Sequence, residues 1–327
     1  MRFSRMVALV LLLATAAACG STSGAAQPRA TRPRSPGPSA APAHEPSLAF
    51  TRLSGAYWSI DTVTADGRDV RHLVAIARAD AKLFGGALDS VGQADWSPDR
   101  SELAFTCVTT RSSICVSTPE GSHAVVLRLP AGLVAAVHPH WSPDGTRIAF
   151  AGVTSTTPLH SQIEVMNADG SDVHRITNLA AGATDPTWSP DGKHIAFQSL
   201  DGDIWVMNAD GTAARALRHT TAEELEPAWS PDGTRIAFSA VVGQSGATTA
   251  PTGLNGSSIY VMHDDGRFPT QLTAPGVAVW PAWSPDGREI AFTCNSLTKS
   301  DLCVVNADGS NERTLLGGPH LDMQPAW

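Results

Sequence analysis

Aromatic side chains are scarce in this chain, at 6% of 327 residues. Six of the nine Trp nevertheless fall at one recurring position, so the little aromatic mass there is serves a repeated structural purpose. Positive charge is scarce too. Beyond residue 47 the chain carries 18 basic against 30 acidic residues, a net of −12. A nucleic-acid partner needs a basic footprint and is not expected. Long apolar runs are missing: the longest stretch near the amino terminus, Met6 to Leu13, is too short for a stable membrane span. There is no Gly-X-Ser-X-Gly elbow, no Gly-rich phosphate loop, no His-Glu-X-X-His and no Cys-X-X-Cys. The common serine-hydrolase, nucleotide and zinc signatures are therefore absent, and no cofactor is expected.

What is present is a pentapeptide. Trp-Ser-Pro-Asp-Gly stands at 141–145, 188–192, 229–233 and 283–287, with a variant ending in Arg at 96–100. The chain reaches the same point again at Pro325-Ala326-Trp327. Each full copy leads into a short apolar run, as in Ile148-Ala149-Phe150 and Ile195-Ala196-Phe197. A second run follows, clearest as Ile163–Gly170 and Ile204–Gly211, both of the form Ile-X-Val-Met-Asn-Ala-Asp-Gly. Successive Trp anchors are 45, 47, 41, 54 and 44 residues apart. Repeats of about 40–45 residues, each with room for four short strands, are propeller blades.

Each unit reads as strands A to D. Strand A is X-Pro-X-Trp, beginning three residues before the Trp. Ser-Pro-Asp-Gly is a tight turn, in which Pro pre-sets φ, Asp bonds its own turn and Gly accepts φ > 0. Strand B is Ile-Ala-Phe, strand C is Ile-X-Val-Met-Asn, Ala-Asp-Gly is a hairpin turn, and strand D is short. The fold class is all-β: a six-bladed β-propeller of four-stranded blades. Residues 48–73 supply strands B to D of blade 1, and Gln324–Trp327 supply its strand A, closing the ring and removing its open edges.

These repeats closely resemble the TolB-type, WD40-like β-propeller repeat, whose consensus runs Pro-X-Trp-Ser-Pro-Asp-Gly, Ile-Ala-Phe, Ile-X-Val-Met-Asn-Ala-Asp-Gly. The resemblance covers residues 48–327. It implies a propeller, and the same propeller type is similar to parts of prolyl-oligopeptidase-like and tricorn-like proteases and of oligogalacturonate lyases. Where TolB carries an α/β domain ahead of its propeller, the sequence here reads as a tether.

Residues 1–18 read as a secretory signal: Arg2 and Arg5, then an apolar run, then small residues. Ala16-Ala17-Ala18-Cys19 resembles the bacterial lipoprotein processing site, which implies cleavage before Cys19 and lipid on its thiol. Residues 19–47 hold Ala, Pro, Ser, Thr, Gly and Arg with almost nothing large and apolar, a composition that cannot offset its own ordering entropy. The expected organisation is signal (1–18), lipidated Cys19 with a Pro/Ala/Ser-rich tether (19–47), and propeller (48–327). The chain is expected to be exported and anchored at the extracytoplasmic face of a bacterial membrane.

The A–B and C–D turns share one face of the ring and are short and uniform. The variable insertions, about Ala240–Ser257 and Val74–Gly92, map to the opposite face. Variable loops on a rigid scaffold are where function usually sits. A second candidate is the channel mouth, expected on that same face. The residues three before each Trp are Gln93, His138, Asp185, Glu226, Trp280 and Gln324, one per blade. Five of the six are polar where a doubly buried strand would carry apolar residues. His140 stands two residues beyond His138. These are the candidate ligand-binding residues. His138, Asp185 and Glu226 have the chemistry to ligate a divalent metal, though not the close spacing of known sites. The turn Asp residues recur once per blade and read as structural.

Cys107 and Cys115 occupy the same repeat positions as Cys294 and Cys303, at the end of strand B and the start of strand C. Neighbouring antiparallel strands bring such residues within bridging reach, and an exported protein meets an oxidising compartment. Disulfides Cys107–Cys115 and Cys294–Cys303 are expected. The functional expectation is a non-catalytic binding or scaffold module for a protein, peptide or glycan of the cell envelope, with no assigned catalytic residues. The alternative is a metal-dependent lyase or hydrolase using the polar ring.

Overall fold

The computed structural model describes residues 47–55, 57–78, 92–108, 111–119, 125–241, 256–296 and 299–327. The expected signal, Cys19 and the tether lie outside the described residues, as do residues 79–91 and 242–255 of the two variable connections. Among the described residues no helix is long and apolar enough to cross a membrane.

Among the described residues twenty-four strands form six four-stranded antiparallel sheets. Blade 1 comprises β1 (Ser47–Ser54), β2 (Tyr57–Thr64) and β3 (Val70–Arg78). Blade 2 comprises β4 (Gly92–Trp96), β5 (Leu103–Val108), β6 (Ser112–Ser117) and β7 (Val125–Val126). Blade 3 comprises β8 (Ala135–Trp141), β9 (Arg147–Thr156), β10 (Leu159–Asn167) and β11 (His174–Arg175). Blade 4 comprises β12 (Ala183–Trp188), β13 (His194–Ser199), β14 (Ile204–Asn208) and β15 (Arg215–Ala216). Blade 5 comprises β16 (Glu223–Trp229), β17 (Arg235–Val241), β18 (Ser257–His263) and β19 (Thr270–Gln271). Blade 6 comprises β20 (Ala278–Trp283), β21 (Glu289–Ser296), β22 (Lys299–Asn306) and β23 (Arg313–Leu316). The last strand, β24 (Leu321–Ala326), pairs antiparallel with β1 and completes blade 1 in the order β24-β1-β2-β3. This is the six-bladed ring expected from the repeats.

The turn motif closes as its residues require. In blade 3, Asp144 Oδ1 accepts bonds from Ser142 Oγ (2.6 Å), Thr146 N–H (3.0 Å) and Thr146 Oγ1 (2.8 Å). Gly145 takes φ +67°, where a side chain would be strained. The same serine–aspartate bond recurs at Ser97–Asp99, Ser189–Asp191, Ser230–Asp232 and Ser284–Asp286. These bonds favour the ionised Asp and hold its carboxyl below the usual range. For Asp191 the bond from Ser189 leads, and the value falls to about 2.

The Ile-Ala-Phe run explains how blades stack. Its residues alternate across the sheet, as strand period 2 demands. Ile148 and Phe150 pack with Trp141 against Ala104, Ile114 and Val116 of the preceding blade. Ala149 faces the other way, with Ile163 and Val165, toward Trp188, Ile195 and Phe197 of the next. The pattern repeats at the other seams: Ala196 meets Ile236 and Phe238, and Ala237 meets Trp283, Ile290 and Phe292. Ala291 meets Leu48 and Phe50, and Ala49 meets Leu103 and Phe105. The Ala is small so that the next blade's ring can enter. All six Phe are at most 2% exposed, and burying each one contributes about 1.5–3 kcal/mol.

Both expected disulfides are present, Cys107–Cys115 and Cys294–Cys303, with Cα separations of 5.7 and 5.8 Å. Closure of blade 1 carries an ionic clasp as well. Arg52 on β1 donates from Nε and Nη2 to the two carboxylate oxygens of Asp322 on β24, at 2.7 and 3.0 Å. Its Nη1 lies 3.2 Å from Asp61 on β2. Asp322 and Asp61 are 1% and 4% exposed; Asp322 is paired with Arg52, and Asp61 with Arg52 and with His72 Nδ1 at 3.0 Å. Replacing Arg52 with Ala strands the buried Asp322 carboxylate beside the seam and leaves Asp61 with His72 alone. The expected loss is about 3–5 kcal/mol of unfolding free energy, read as a fall in the urea midpoint at unchanged slope. A midpoint equal to that of the parent chain would show that the clasp contributes nothing to closure.

Candidate functional site

The innermost strands differ from the sequence expectation in a way that creates the site. They do not begin three residues before the Trp: β8 starts at Ala135 and β16 at Glu223, so His138 and Glu226 lie mid-strand. Register breaks there. Val137 pairs with Ala151 and His140 with Ala149, leaving His138 and Pro139 together opposite Phe150. Equivalent shifts fall between Gly92 and Asp95, Thr184 and Thr187, Leu225 and Ala228, and Val279 and Ala282. A β-bulge is where a strand accommodates a Pro that cannot donate to the ladder. The residue at each bulge, followed by Pro in five blades and by Ala94 in blade 2, adopts the left-handed conformation: Gln93 φ 51°, His138 57°, Asp185 50°, Glu226 55°, Trp280 55° and Gln324 55°. None of the six is Gly. Each such residue is strained by about 1–3 kcal/mol unless its surroundings impose the geometry. Gly92, beside Gln93, must be Gly, since a Cβ there would lie 2.0 Å from Thr51 Oγ1.

What imposes it is a circuit of hydrogen bonds between blades. Gln93 N–H donates to Thr51 Oγ1 and Gln324 Oε1 of blade 1, both at 3.2 Å. His138 N–H donates to Gln93 Oε1 (3.2 Å) and Thr106 Oγ1 (3.3 Å) of blade 2. Glu226 N–H donates to Gln198 Oε1 (3.3 Å), Trp280 N–H to Glu226 Oε2 (2.7 Å), and Gln324 N–H to Thr293 Oγ1 (2.9 Å). Every one of these bonds runs back to the preceding blade. Acceptors come from the ring residues themselves and from the position after Ile-Ala-Phe: Thr51, Thr106, Gln198 and Thr293, with Ser239 donating to Glu226 Oε2 at 2.7 Å. Blade 3 has Ala151 in that place, which offers no oxygen.

The ring brings together all six residues expected from the repeats, and His140 joins them one level away. A cavity of ≈ 270 Å³ is lined by these residues, by the Pro or, in blade 2, the Ala that follows each ring residue, by the anchor Trp188, Trp229, Trp283 and Trp327, and by Pro190. It therefore extends from the ring toward the Ser-Pro-Asp-Gly side. The sequence reading placed the ring at a mouth on the variable face. The bulge sets it deeper, with the cavity running to the turns. A second level, missed from sequence, consists of residues next to the anchor Trp. Asp95 Oδ2 accepts Trp141 N–H at 2.7 Å, and His140 Nε2 lies 3.2 Å from Thr187 Oγ1.

His138 Nδ1 is in direct contact with the Asp185 carboxylate. Glu226 is half-buried, and its enclosure by protein, followed by the nearby Asp185 charge, pushes its carboxyl up to about 7 despite its bonds to Trp280 and Ser239. Burial likewise raises Asp95, against the pull of His140 and the Trp141 N–H. Gln324, 4% exposed, uses its Oε1 within the circuit, while its Nε2 has no partner among the described residues. The three candidate metal ligands do not converge. His138 and Asp185 hold each other and Glu226 is tied to Ser239 and Trp280. Among the described residues no group of three His, Cys, Asp or Glu is arranged to hold a metal ion.

Residues 91–203 match the family model described as the TolB beta propeller domain. A stretch of 45 residues is 47% identical to the Tol-Pal system protein TolB of Anaeromyxobacter dehalogenans, covering 14% of this chain and 10% of that protein. The chain thus spans about a tenth of the curated relatives it matches. Among solved structures, TolB from Acinetobacter baumannii superposes with a TM-score of 0.68 at 20% identity, over 86% of this chain and 66% of that one. An oligogalacturonate lyase in complex with manganese superposes at 0.56 with 15% identity, over 80% and 71%. At these identities the likeness is one of fold.

The raised Glu226 carboxyl has a consequence for stability. Between pH 4.5 and 7 the folded chain holds a proton on Glu226 that the unfolded chain releases, so ionisation there opposes folding as pH rises. Glu226→Gln removes that penalty and keeps an oxygen for Trp280. From pH 5 to pH 8 the parent chain is expected to lose ~1–3 kcal/mol more unfolding free energy than the variant. Parallel urea titrations at the two pH values check this, and parallel losses in the two proteins would refute it.

Proposed function

We propose that this chain is a non-catalytic binding module of the bacterial cell envelope, tethered at the extracytoplasmic face of a membrane by lipid on Cys19. The propeller takes a segment of a partner protein into the cavity at its centre. One observation carries this reading: six non-glycine residues are held in a strained backbone conformation, one per blade, around a single cavity. Strain of this kind persists where a site needs side chains held in place. The cavity is smaller than the about 300–1,000 Å³ of drug-sized pockets, which suits one or two side chains of an extended segment. The match to Tol-Pal system proteins supports an envelope setting. The partner is a separate matter, because the match spans so little of those proteins.

A photo-crosslinking residue in place of Trp280 is expected to capture a partner in the native membrane. The same residue in place of Arg175, on the exposed outer strand β11, is expected not to. Equal capture from both positions would remove the cavity from the binding reading. The tether is tested separately. Cys19→Ser is expected to move the chain from the membrane fraction to the soluble fraction, and retention at the membrane would show that Cys19 is not the anchor.

A further inference from the structure

The chemistry of the cavity wall narrows the partner further, on the premise that the cavity is the binding site. The lining contains three carboxylates, Asp95, Asp185 and Glu226, and no Lys or Arg. Five indoles stand among them, including Trp229, Trp280 and Trp327. Indole faces attract cations, and guanidinium groups more than most. The molecule already uses this contact. Arg147 lies over Trp188 and Arg235 over Trp283, each 4.6 Å from the ring. Trp229 and Trp327 follow blades whose residue at the matching strand position is His194 and Glu289. The buried Nε2 of Gln324 adds a hydrogen-bond donor with no protein acceptor among the described residues. A backbone carbonyl would satisfy it.

We infer that the cavity is selective for a peptide segment bearing Arg or Lys. The cationic group lies among the carboxylates and indoles, and a backbone carbonyl of the segment accepts from Gln324. Two sources can supply this chemistry. One is a partner protein. The other is this chain itself, whose Pro28-Arg29-Ala30-Thr31-Arg32-Pro33-Arg34 stretch is cationic. Ser47, where the first strand opens, lies on the turn side: its carbonyl accepts from Arg100 at 3.0 Å. The intervening residues 35–46 have a contour of about 40 Å at full extension.

The probe is a synthetic peptide of residues 28–34, with a second version in which citrulline replaces each Arg. Binding is measured by calorimetry on the full chain carrying Arg29→Ser, Arg32→Ser and Arg34→Ser, and on the parent chain. The Arg peptide is expected to bind the substituted chain at least tenfold more tightly than the citrulline peptide. Its affinity is expected to fall about tenfold with Glu226→Gln, to weaken with salt, and to rise with pH through 7 as Glu226 ionises. Weaker binding to the parent chain than to the substituted chain supports the inference and names the chain's own segment as an occupant. Equal binding supports it with another protein as the source. Equal affinity for the Arg and citrulline peptides overturns cation selectivity but leaves the cavity a peptide site. Binding of neither peptide, at any salt or pH tried, overturns the inference. The photo-crosslink at Trp280 then decides whether the binding reading fails with it.

Discussion

Every sheet in this protein is covered on both faces by another sheet, and the stack must return to its start. That constraint governs the rest. A sheet with two buried faces needs apolar residues on both, and six of them converging on an axis need large groups facing small ones. Ile-Ala-Phe answers both demands in three residues. Phe and Ile enter the seam behind, while Ala leaves room for the Phe and Trp of the blade ahead. The ring closes only because β24 brings the missing innermost strand to β1, and Arg52 draws Asp322 and Asp61 to that junction.

The same constraint produces the site. Innermost strands crowd around the axis, and the ladder breaks in each, at a Pro in five blades and at Ala94 in blade 2. The bulge that follows turns six side chains out of the packed layers and frees six backbone N–H groups from ordinary pairing. Five of those groups are hydrogen-bonded by the preceding blade, so the site is assembled by the seams and belongs to no single blade. Packing between blades and shape of the cavity are thus one arrangement seen from two sides. Charge follows from it: Glu226 is held where two good hydrogen bonds do not fully offset its enclosure and the neighbouring Asp185.

Much of this was legible in the residues. The pentapeptide and its spacing specified blades, turns and closure, because turn chemistry and seam packing recur wherever the geometry recurs. The ring positions stood out for the opposite reason, since there the repeats stop agreeing. What the residues did not disclose was depth. Ala135-Ala136-Val137 and Glu223-Glu224-Leu225 have no resemblance to one another, so the strand ahead of each ring residue was invisible, and X-Pro looked like a strand's beginning. Asp95 was hidden for a similar reason, sitting at a position that is Ala in three blades. A signal did exist for the acceptors: Thr51, Thr106, Gln198, Ser239 and Thr293 each follow the Phe of strand B. A polar residue recurring next to a buried Phe marks a contact with the axis.

The left-handed ring carries one more implication. Glycine is the residue that rests in that conformation without strain, and this propeller places glycine freely elsewhere, including Gly92 beside Gln93. A ring of six glycines would relieve the backbone at those positions, but it would also remove Gln93 Oε1, Glu226 Oε2 and Gln324 Oε1, which accept N–H groups of the circuit. The side chains at the axis therefore persist against the backbone's own preference. Glycine, more than alanine, is the substitution that subtracts their chemistry while relieving the backbone, and at Gln93, Glu226 and Gln324 it subtracts a bond between blades as well.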